Sequence, residues 1–561
     1  MTTAALGQTV EVNGIEAIHR NGQTFVTWRD VEEGERGAKY RYSLYRADSP
    51  ITQETLAQAT LVYRGVPNNS AKLFGSDFWP KDRLDPAKPT VVLNEGGPPL
   101  ALWSGLAVYT AKAEGNGFFA VVATNEALRP LSRVEPGKSA TIRPLAERVG
   151  AIQPIKVYDS KERPTYVAQT SITGTKGLPM MLVLHGSQAQ GGGASEWGDY
   201  YTYFGSESMG YRDGLPGVFS IEERRYPTGN ILELKPRDAI LHPNGKEPVE
   251  TFWFGYLSAP QWARHKDPRA YPFTEDRLAW LLDWSATRYG ADRDRIYAAG
   301  QSMGGWGVTT FALRHPEIFA AIYPTLPRTR QRELPGLEGR TLRSAIMPDG
   351  KTDYFERMDM VKFVSQTRTD LPFMGWSIGR QDRFATWKEQ VDMVKALTAS
   401  HHGFAFAWND AGHSEEGTKP MELIHKYYGY TKLARNVSYP AFGNSSIDNN
   451  PGNGSPTDGD KAGGINLGFE WKDVEDMPDR WAIRLTNDLA KADMTVDVTP
   501  RRTQRFKPVP GERLRWTSSI GDSGEVTVDQ WGLVTVERVG IKPAQDTIVT
   551  VSRVPRRSSP R

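Results

Sequence analysis

Apolar and polar residues follow three rhythms along the 561-residue chain, and each predicts a different kind of structure. From residue 1 to about 150, apolar residues alternate with polar ones in short runs. Thr24–Trp28 and Tyr40–Arg46 are two such runs, and Gly117–Thr124 is a third, entered by a turn at Glu114-Gly-Asn-Gly117. A period of two predicts strands. Strands at this spacing, with a tryptophan on an early one, predict a sandwich with Trp28 as a core plug. From about residue 151 to 435 the rhythm changes. Arg163–Ser171, Pro179–Leu184, Ala239–Pro243, Ile296–Ala299, Phe319–Tyr323, Phe373–Ile378 and Phe404–Trp408 read as strands. Helical patterns lie among them at Thr274–Tyr289, Trp306–Leu313, Trp387–Leu397 and Met421–Tyr428. The first of these has Thr274 as its predicted N-cap and Gly290 as its stop. Strands alternating with helices predict an α/β domain on a mostly parallel sheet. Then comes Asn436–Gly464, rich in Asn, Gly, Ser, Pro and Asp, which predicts loop or linker. Short alternating runs return at Trp481–Leu485, Met494–Val498, Glu525–Val528 and Leu533–Glu537. The fold class is therefore α/β with flanking sandwich-like β domains, divided as 1–150, 151–435 and 436–561.

Composition narrows the chemistry. There is no cysteine, which excludes disulfides, thiolate metal sites and cysteine nucleophiles. The 69 basic and 66 acidic residues are mixed along the chain, which is not the footprint of a nucleic-acid binder. No apolar run approaches the length of a membrane span. Asn436–Gly464 has acidic and amide side chains but no calcium-loop spacing, so a solvated loop is the expectation and a structural calcium site the alternative.

The stretch that carries chemistry is Arg295-Ile-Tyr-Ala-Ala-Gly300-Gln301-Ser302-Met303-Gly304-Gly305. It holds Gly-x-Ser-x-Gly between a predicted strand and a predicted helix, the context of a nucleophile elbow. A serine hydroxyl needs to be held out of the backbone within reach of a base. A sharp strand-to-helix turn does this and crowds the residues two before and two after, where Gly300 and Gly304 carry no side chain. Two near-copies lack this context. Ser208 has no preceding strand, and Ser523, in Gly521-Asp-Ser-Gly524, has no histidine anywhere from Asn436 to the end.

The base comes from nine histidines, of which five follow Ser302: His315, His401, His402, His413 and His425. His413 follows the strand Phe404–Trp408 on a loop, where parallel sheets place their sites. The orienting acid is expected to be Asp382, after the strand Phe373–Ile378. Asp410 is its rival, Asp349 and Asp353 are weaker candidates, and a helix cap is the structural alternative for Asp382. The oxyanion donors are expected at the amides of Met303, which opens the elbow helix, and of Gly186 or Ser187, after the strand Pro179–Leu184.

These residues resemble a known family. His185-Gly186, Leu241-His-Pro-Asn-Gly245, Gly255-Tyr256, Asp294-Arg-Ile-Tyr297, Gly300-Gln-Ser-Met-Gly-Gly305, Gly379-Arg-Gln-Asp382 and Gly412-His413 look like the esterase branch of the α/β-hydrolases. That branch includes polyhydroxybutyrate depolymerases and feruloyl or acetylxylan esterases. The resemblance covers residues 151–435 and implies a Ser-Asp-His esterase without cofactor or metal. The start, Met-Thr-Thr-Ala-Ala-Leu-Gly, lacks the charged and apolar regions of a signal peptide, so the expectation is a secreted or periplasmic protein whose signal is absent from this sequence, with a cytoplasmic one left open. The order Val26-Thr-Trp28, Tyr42-x-Leu-Tyr-Arg46 and Phe118–Thr124 resembles a fibronectin type III domain. Trp197, Tyr256 and Trp306 are expected to touch substrate, with Trp197 in an insertion, Glu196–Lys235, whose lid-like position is expected to make it part of the substrate wall. The partner is then an ester, feruloyl or acetyl on polysaccharide, or a polyester. A prolyl-oligopeptidase-like peptidase and a non-catalytic carbohydrate-binding protein are the alternatives. The latter would use tryptophans such as Trp516 and Trp531, for which core packing is the other expectation.

Overall fold

The computed structural model describes residues 10–72 apart from 21, residues 93, 98 and 100–149 apart from 112, and residues 155–156, 176–187, 199–204, 216–236, 240–241, 248–249, 253–254, 256–257, 270–330 and 346–554. The chain divides into two compact units. One holds Met1–Ser171, Gln188–Glu222 and Lys235–Thr251, and the other holds Ile172–Ser187, Glu223–Leu234 and Phe252–Arg561.

In the first unit Asn13–Arg20, Gln23–Arg29 and Ser104–Thr110 form a three-stranded antiparallel sheet. Thr60–Pro67, Arg41–Ala47, Gly115–Thr124 and Leu145–Glu147 form a four-stranded one. Strands of both sheets supply one buried cluster that includes Trp28, Tyr42, Leu44, Ala107 and Val121. Alternation places every second residue of each strand in that core. Trp28 is its plug, 5.2 Å from the Tyr42 ring and packed on Gly105, where a Cβ would collide with the indole. The same unit contains an antiparallel pair, with Asp199 opposite Ile221 and Phe204 opposite Pro216.

The second unit is organised on a central sheet. Its strands are β1 (Met180–Leu184), β2 (Gly229–Pro236), β3 (Ile296–Gln301), β4 (Ala321–Thr325), β5 (Phe373–Gly379), β6 (Phe404–Asn409) and β7 (Gly463–Ile465). They lie in the order β7-β6-β5-β4-β3-β1-β2. Every neighbouring pair from β2 to β6 runs parallel, and β7 closes the edge antiparallel to β6. Consecutive parallel strands need a crossover. The chain supplies helices α1 (Phe273–Tyr289) before β3, α2 (Met303–Arg314) after it, α3 (Trp387–Ala399) between β5 and β6, and α4 (Met421–Tyr428) after β6. Strands buried on both faces read as continuous apolar runs, and all of Phe373–Gly379 is buried. No described helix is long and apolar enough to cross a membrane.

Two expectations change, at the start of α1 and in the insertion. Helix α1 begins at Phe273 with Pro272 as its N-cap residue, so Thr274 lies inside the first turn, buried, and does not cap it. Proline's fixed φ suits a helix start. Of the strand expected at Ala239–Pro243, Ile240–Leu241 pairs antiparallel with Pro248–Val249, and residues 239, 242 and 243 lie outside the described residues. The insertion Glu196–Lys235 is in part a sheet element, because β2 pairs parallel with β1 through Leu232, Glu233 and Leu234. Charged Glu233 hid this strand from the hydrophobic pattern. It is 1% exposed, and its carboxylate accepts a hydrogen bond from the Tyr226 hydroxyl.

The C-terminal strands belong to this same unit. Tyr439–Gly443, Met494–Arg501 and Val536–Ile541 make a three-stranded sheet. Phe469–Asp476, Arg480–Asn487, Thr547–Arg553, Arg513–Ser518 and Ser523–Thr527 make a five-stranded one. Their buried side chains, such as Tyr439, Phe469 and Trp481, are continuous with Tyr297, Phe373 and Ile424 in one core cluster. Buried Arg502 ties the parts by donating to the carbonyls of Phe319, Leu371 and Ala434. Trp516 packs against the core cluster. Trp531 does not, being half exposed with the Arg368 guanidinium 4.6 Å above its ring.

Candidate active site

Ser302 stands at the junction of β3 and α2 with φ 56° and ψ −117°, a backbone conformation that side chains rarely adopt. The turn holds it there, with the Ser302 amide donating to the Thr325 carbonyl at 2.9 Å. The flanking glycines are required by contact. A Cβ on Gly300 would lie 2.5 Å from the Gly304 carbonyl oxygen, and one on Gly304 would lie 2.0 Å from the Leu184 oxygen.

From Ser302 a short chain of hydrogen bonds leads inward. His413 Nε2 lies 2.7 Å from Ser302 Oγ, and its Nδ1 lies 2.6 Å from Asp382 Oδ2. The second oxygen, Asp382 Oδ1, accepts the amides of Phe384 and Ala385 at 2.7 and 2.9 Å. The carboxylate is thus fully buried and held by two backbone donors, while the imidazole is 22% exposed. The loops after β5 and β6 carry the two groups and pack against one another. A Cβ on Gly379 would lie 2.3 Å from the Ala411 oxygen.

The rival residues are engaged elsewhere. Asp410 is exposed and accepts from Gln381, whose hydrogen bond is the largest of the effects holding its carboxyl below the ordinary range. Asp349 accepts the Lys351 and Thr352 amides and the Thr352 hydroxyl, which brings it down to about 2. Asp353 caps a short helix through the Glu356 amide. The capping alternative for Asp382 does not apply, because Thr386 caps α3 with Glu389 in a reciprocal box. His315 faces Glu317, His402 the Thr367 carbonyl and His425 the Tyr430 hydroxyl. Burial pushes His402 down to about 3 and His425 to about 4. Ser523 lies on an exposed C-terminal strand, while Ser208 is outside the described residues.

Of the expected oxyanion residues, Met303 opens α2 directly after Ser302. Gly186 lies beside them, where a Cβ would be 3.7 Å from Ser302 Cβ. Ser187 follows Gly186 on the same loop, after β1. A residue not foreseen from the sequence holds this loop. Trp253 is buried, its indole Nε1 donates to the His185 carbonyl at 3.1 Å, and its ring meets the His185 ring edge-on at 4.8 Å. It packs on Gly307 of α2, where a Cβ would lie 2.4 Å from Trp253 Cβ. Of the expected substrate contacts, Trp306 is 3% exposed and packs with Phe254, Met347 and Tyr354 in a core cluster. Tyr256 lies on a short strand paired with Tyr271, and Trp197 is outside the described residues. Phe384 was also not foreseen. It is 62% exposed, with its ring 5.1 Å from His413. Its only signal in the sequence is an aromatic residue two places after the acid.

Chemically, the set can move a proton from Ser302 Oγ to His413 Nε2 while Asp382 fixes the tautomer that leaves Nε2 free to accept it. Among the described residues no group of three or more His, Asp or Glu side chains is arranged to hold a metal ion.

The chain matches no protein-family model and no curated protein. Solved structures similar to it include the fluorophosphonate-binding serine hydrolase F of Staphylococcus aureus, at 14% identity over 49% of this chain and 88% of that one, with a TM-score of 0.27. A ferulic acid esterase is similar at 18% identity over 45% and 83%, with a TM-score of 0.26. An S-formylglutathione hydrolase from Agrobacterium tumefaciens is similar at 17% identity over 45% and 83%, with a TM-score of 0.30. With TM-scores below 0.5, these likenesses add nothing to the geometry.

Proposed function

We propose that the chain is a serine carboxylic-ester hydrolase working through Ser302, His413 and Asp382. The observation that carries this reading is the unbroken chain Asp382–His413–Ser302, at 2.6 and 2.7 Å, ending on a serine held at φ 56°. His413 takes the hydroxyl proton as Ser302 Oγ attacks the ester carbonyl. The amides of Met303 and of Gly186 or Ser187 receive the oxyanion, a role in which one donor is worth about 3–4 kcal/mol. His413 Nε2 then protonates the leaving alcohol, and water, activated by the same imidazole, clears the acyl-enzyme.

The substrate class proposed is an ester on a polymer, feruloyl or acetyl on polysaccharide, or a polyester. The frame proposed is the α/β-hydrolase esterase one, with a fibronectin type III-like domain at its N-terminal side. Three strands facing four around Trp28 support the latter. Trp197 and Tyr256 are proposed substrate contacts. The decisive panel is p-nitrophenyl acetate, feruloyl esters and a peptide anilide. Turnover of the esters alone is expected, and cleavage of the anilide at a comparable rate would assign a peptidase instead. In the same panel Trp197→Ala is expected to raise KM for bulky esters far more than for acetate, and equal effects would make Trp197 a packing residue.

A further inference from the structure

The stretch Asn436–Gly464 is well fixed at its centre, and what it holds is the acid loop. Arg380 lies two residues before Asp382, and its side chain is 4% exposed. Its Nη1 donates to the carbonyls of Gly459 and Asp460 at 3.1 and 3.0 Å, and to that of Asp458 at 3.5 Å. Its Nε lies 3.4 Å from Asp410. Gln381 spans the same gap, donating to Asp410 at 2.9 Å and to the Pro456 carbonyl at 3.2 Å. Two indoles fasten the stretch from below, Trp387 on the Pro451 carbonyl and Trp408 on that of Asp460.

The loop is shaped to present those carbonyls. Asp460 accepts the Asn450 amide, Asp458 accepts the Asn453 amide, and the chain reverses at Gly452 and Gly459, both with positive φ. A Cβ on Gly459 would lie 2.5 Å from the Gly452 nitrogen. Three carbonyl oxygens aimed at one nitrogen form a fixed negative cradle, and a buried guanidinium without such partners is costly.

We propose that Arg380 is a positioning residue for the reaction and that residues 449–460 are the brace through which it acts. The mechanical path is short. The brace holds Arg380 and Gln381, which precede Asp382 directly. Their own amides donate to the carbonyls of Asn409, at the end of β6, and of Ala411, on the loop that carries His413. One cradle thus sets the separation of the acid and the base, and a segment beyond both in sequence becomes part of the machinery. Among the described residues the side-chain partner of Ser302 is His413, and those of Arg380 are the loop carbonyls and Asp410. This inference rests on the reading of Ser302, His413 and Asp382 as the reacting set.

The test uses the full chain with Arg380→Met, Arg380→Lys and Gly459→Ala, measured for kcat, KM, the rate of labelling by a fluorophosphonate probe, and Tm. A displacement of catalytic groups by about 1 Å costs up to roughly a hundredfold in rate. Arg380→Met is expected to lower kcat and labelling rate about tenfold to a hundredfold with KM unchanged. Arg380→Lys, which can still reach carbonyls, is expected to recover part of the loss. Gly459→Ala alters only the cradle and is expected to reproduce the kcat defect, and the two changes together are expected to cost no more than the larger one, because they break one linkage. A lowered Tm with kcat and labelling rate at the parent value in either Arg380→Met or Gly459→Ala would overturn the proposal and leave the brace merely structural. Ser302→Ala in the same assays separates the two levels. If it retains turnover, the site reading fails, whereas if it alone is dead, only the brace is at issue.

Discussion

At the scale of single residues, the two carboxylates near His413 part company by where their oxygens point. Asp382 spends one oxygen on the imidazole and the other on two amides, while Asp410 spends its own on Gln381. Asp382→Asn is expected to lower kcat by roughly 10⁴-fold, since the amide can stabilise the wrong tautomer. Asp410→Asn is expected to stay within about twofold of the parent, the range of a surface change. Steady-state kinetics on one activated ester decides, and a larger effect at Asp410 would reverse the assignment. The candidate acid and base were legible because chain order and strand-end loops leave few choices. Phe384 and Trp253 were not, because an aromatic residue beside a site looks the same in sequence as one in a core.

At the scale of elements, the elbow depends on backbone clearance. Gly304→Ala places a methyl group on the Leu184 carbonyl, and overpacking of this kind costs about 1–3 kcal/mol. The variant is expected to lose turnover and stability together, checked by urea melts beside the ester assay. An unchanged melt would mean that the turn yields. The helix α3 and its neighbours hold a second, acid-sensitive element. His402 is buried near Arg501, Asp370 and Arg368, and burial brings it to about 3 in the fold. The unfolded chain takes up a proton near pH 6.5 that the fold refuses. Stability is therefore complete above about pH 6.5 and falls as pH drops toward 3. His402→Gln keeps a donor for the Thr367 carbonyl but cannot charge. Between pH 7 and 4.5 its Tm is expected to fall less than the parent's, and equal slopes would show that His402 does not set the acid limb. Strand β2 marks where sequence reading stops at this scale. Periodicity locates apolar strands such as β5, but it has no way to foresee that a charged Glu233 is buried against Tyr226.

At the scale of the whole molecule, the C-terminal strands share a core with the strands that carry the candidate site, and composition alone describes the stretch between them as loop. The Asn, Asp and Gly residues that signal a loop also close its turns by side-chain hydrogen bonds, so one signature serves tether and anchor alike. Arg502→Met tests the shared core. It strips donors from three carbonyls, two of them buried, and a buried one costs about 1–3 kcal/mol when left unsatisfied. A loss of about 2 kcal/mol or more in one cooperative urea transition is expected. Loss of hydrogen-exchange protection in the C-terminal strands at a urea concentration where β3 to β6 stay protected would show that those strands fold on their own.

The proposed esterase activity depends most on Ser302 being the nucleophile. Its most direct test is labelling of the full chain with a fluorophosphonate, followed by mapping of the modified peptide by mass spectrometry, beside the turnover of Ser302→Ala. One adduct is expected, on Ser302, with a rate in the variant lower by roughly 10⁴- to 10⁶-fold. An adduct on another serine, or a variant within about tenfold of the parent rate, would contradict it.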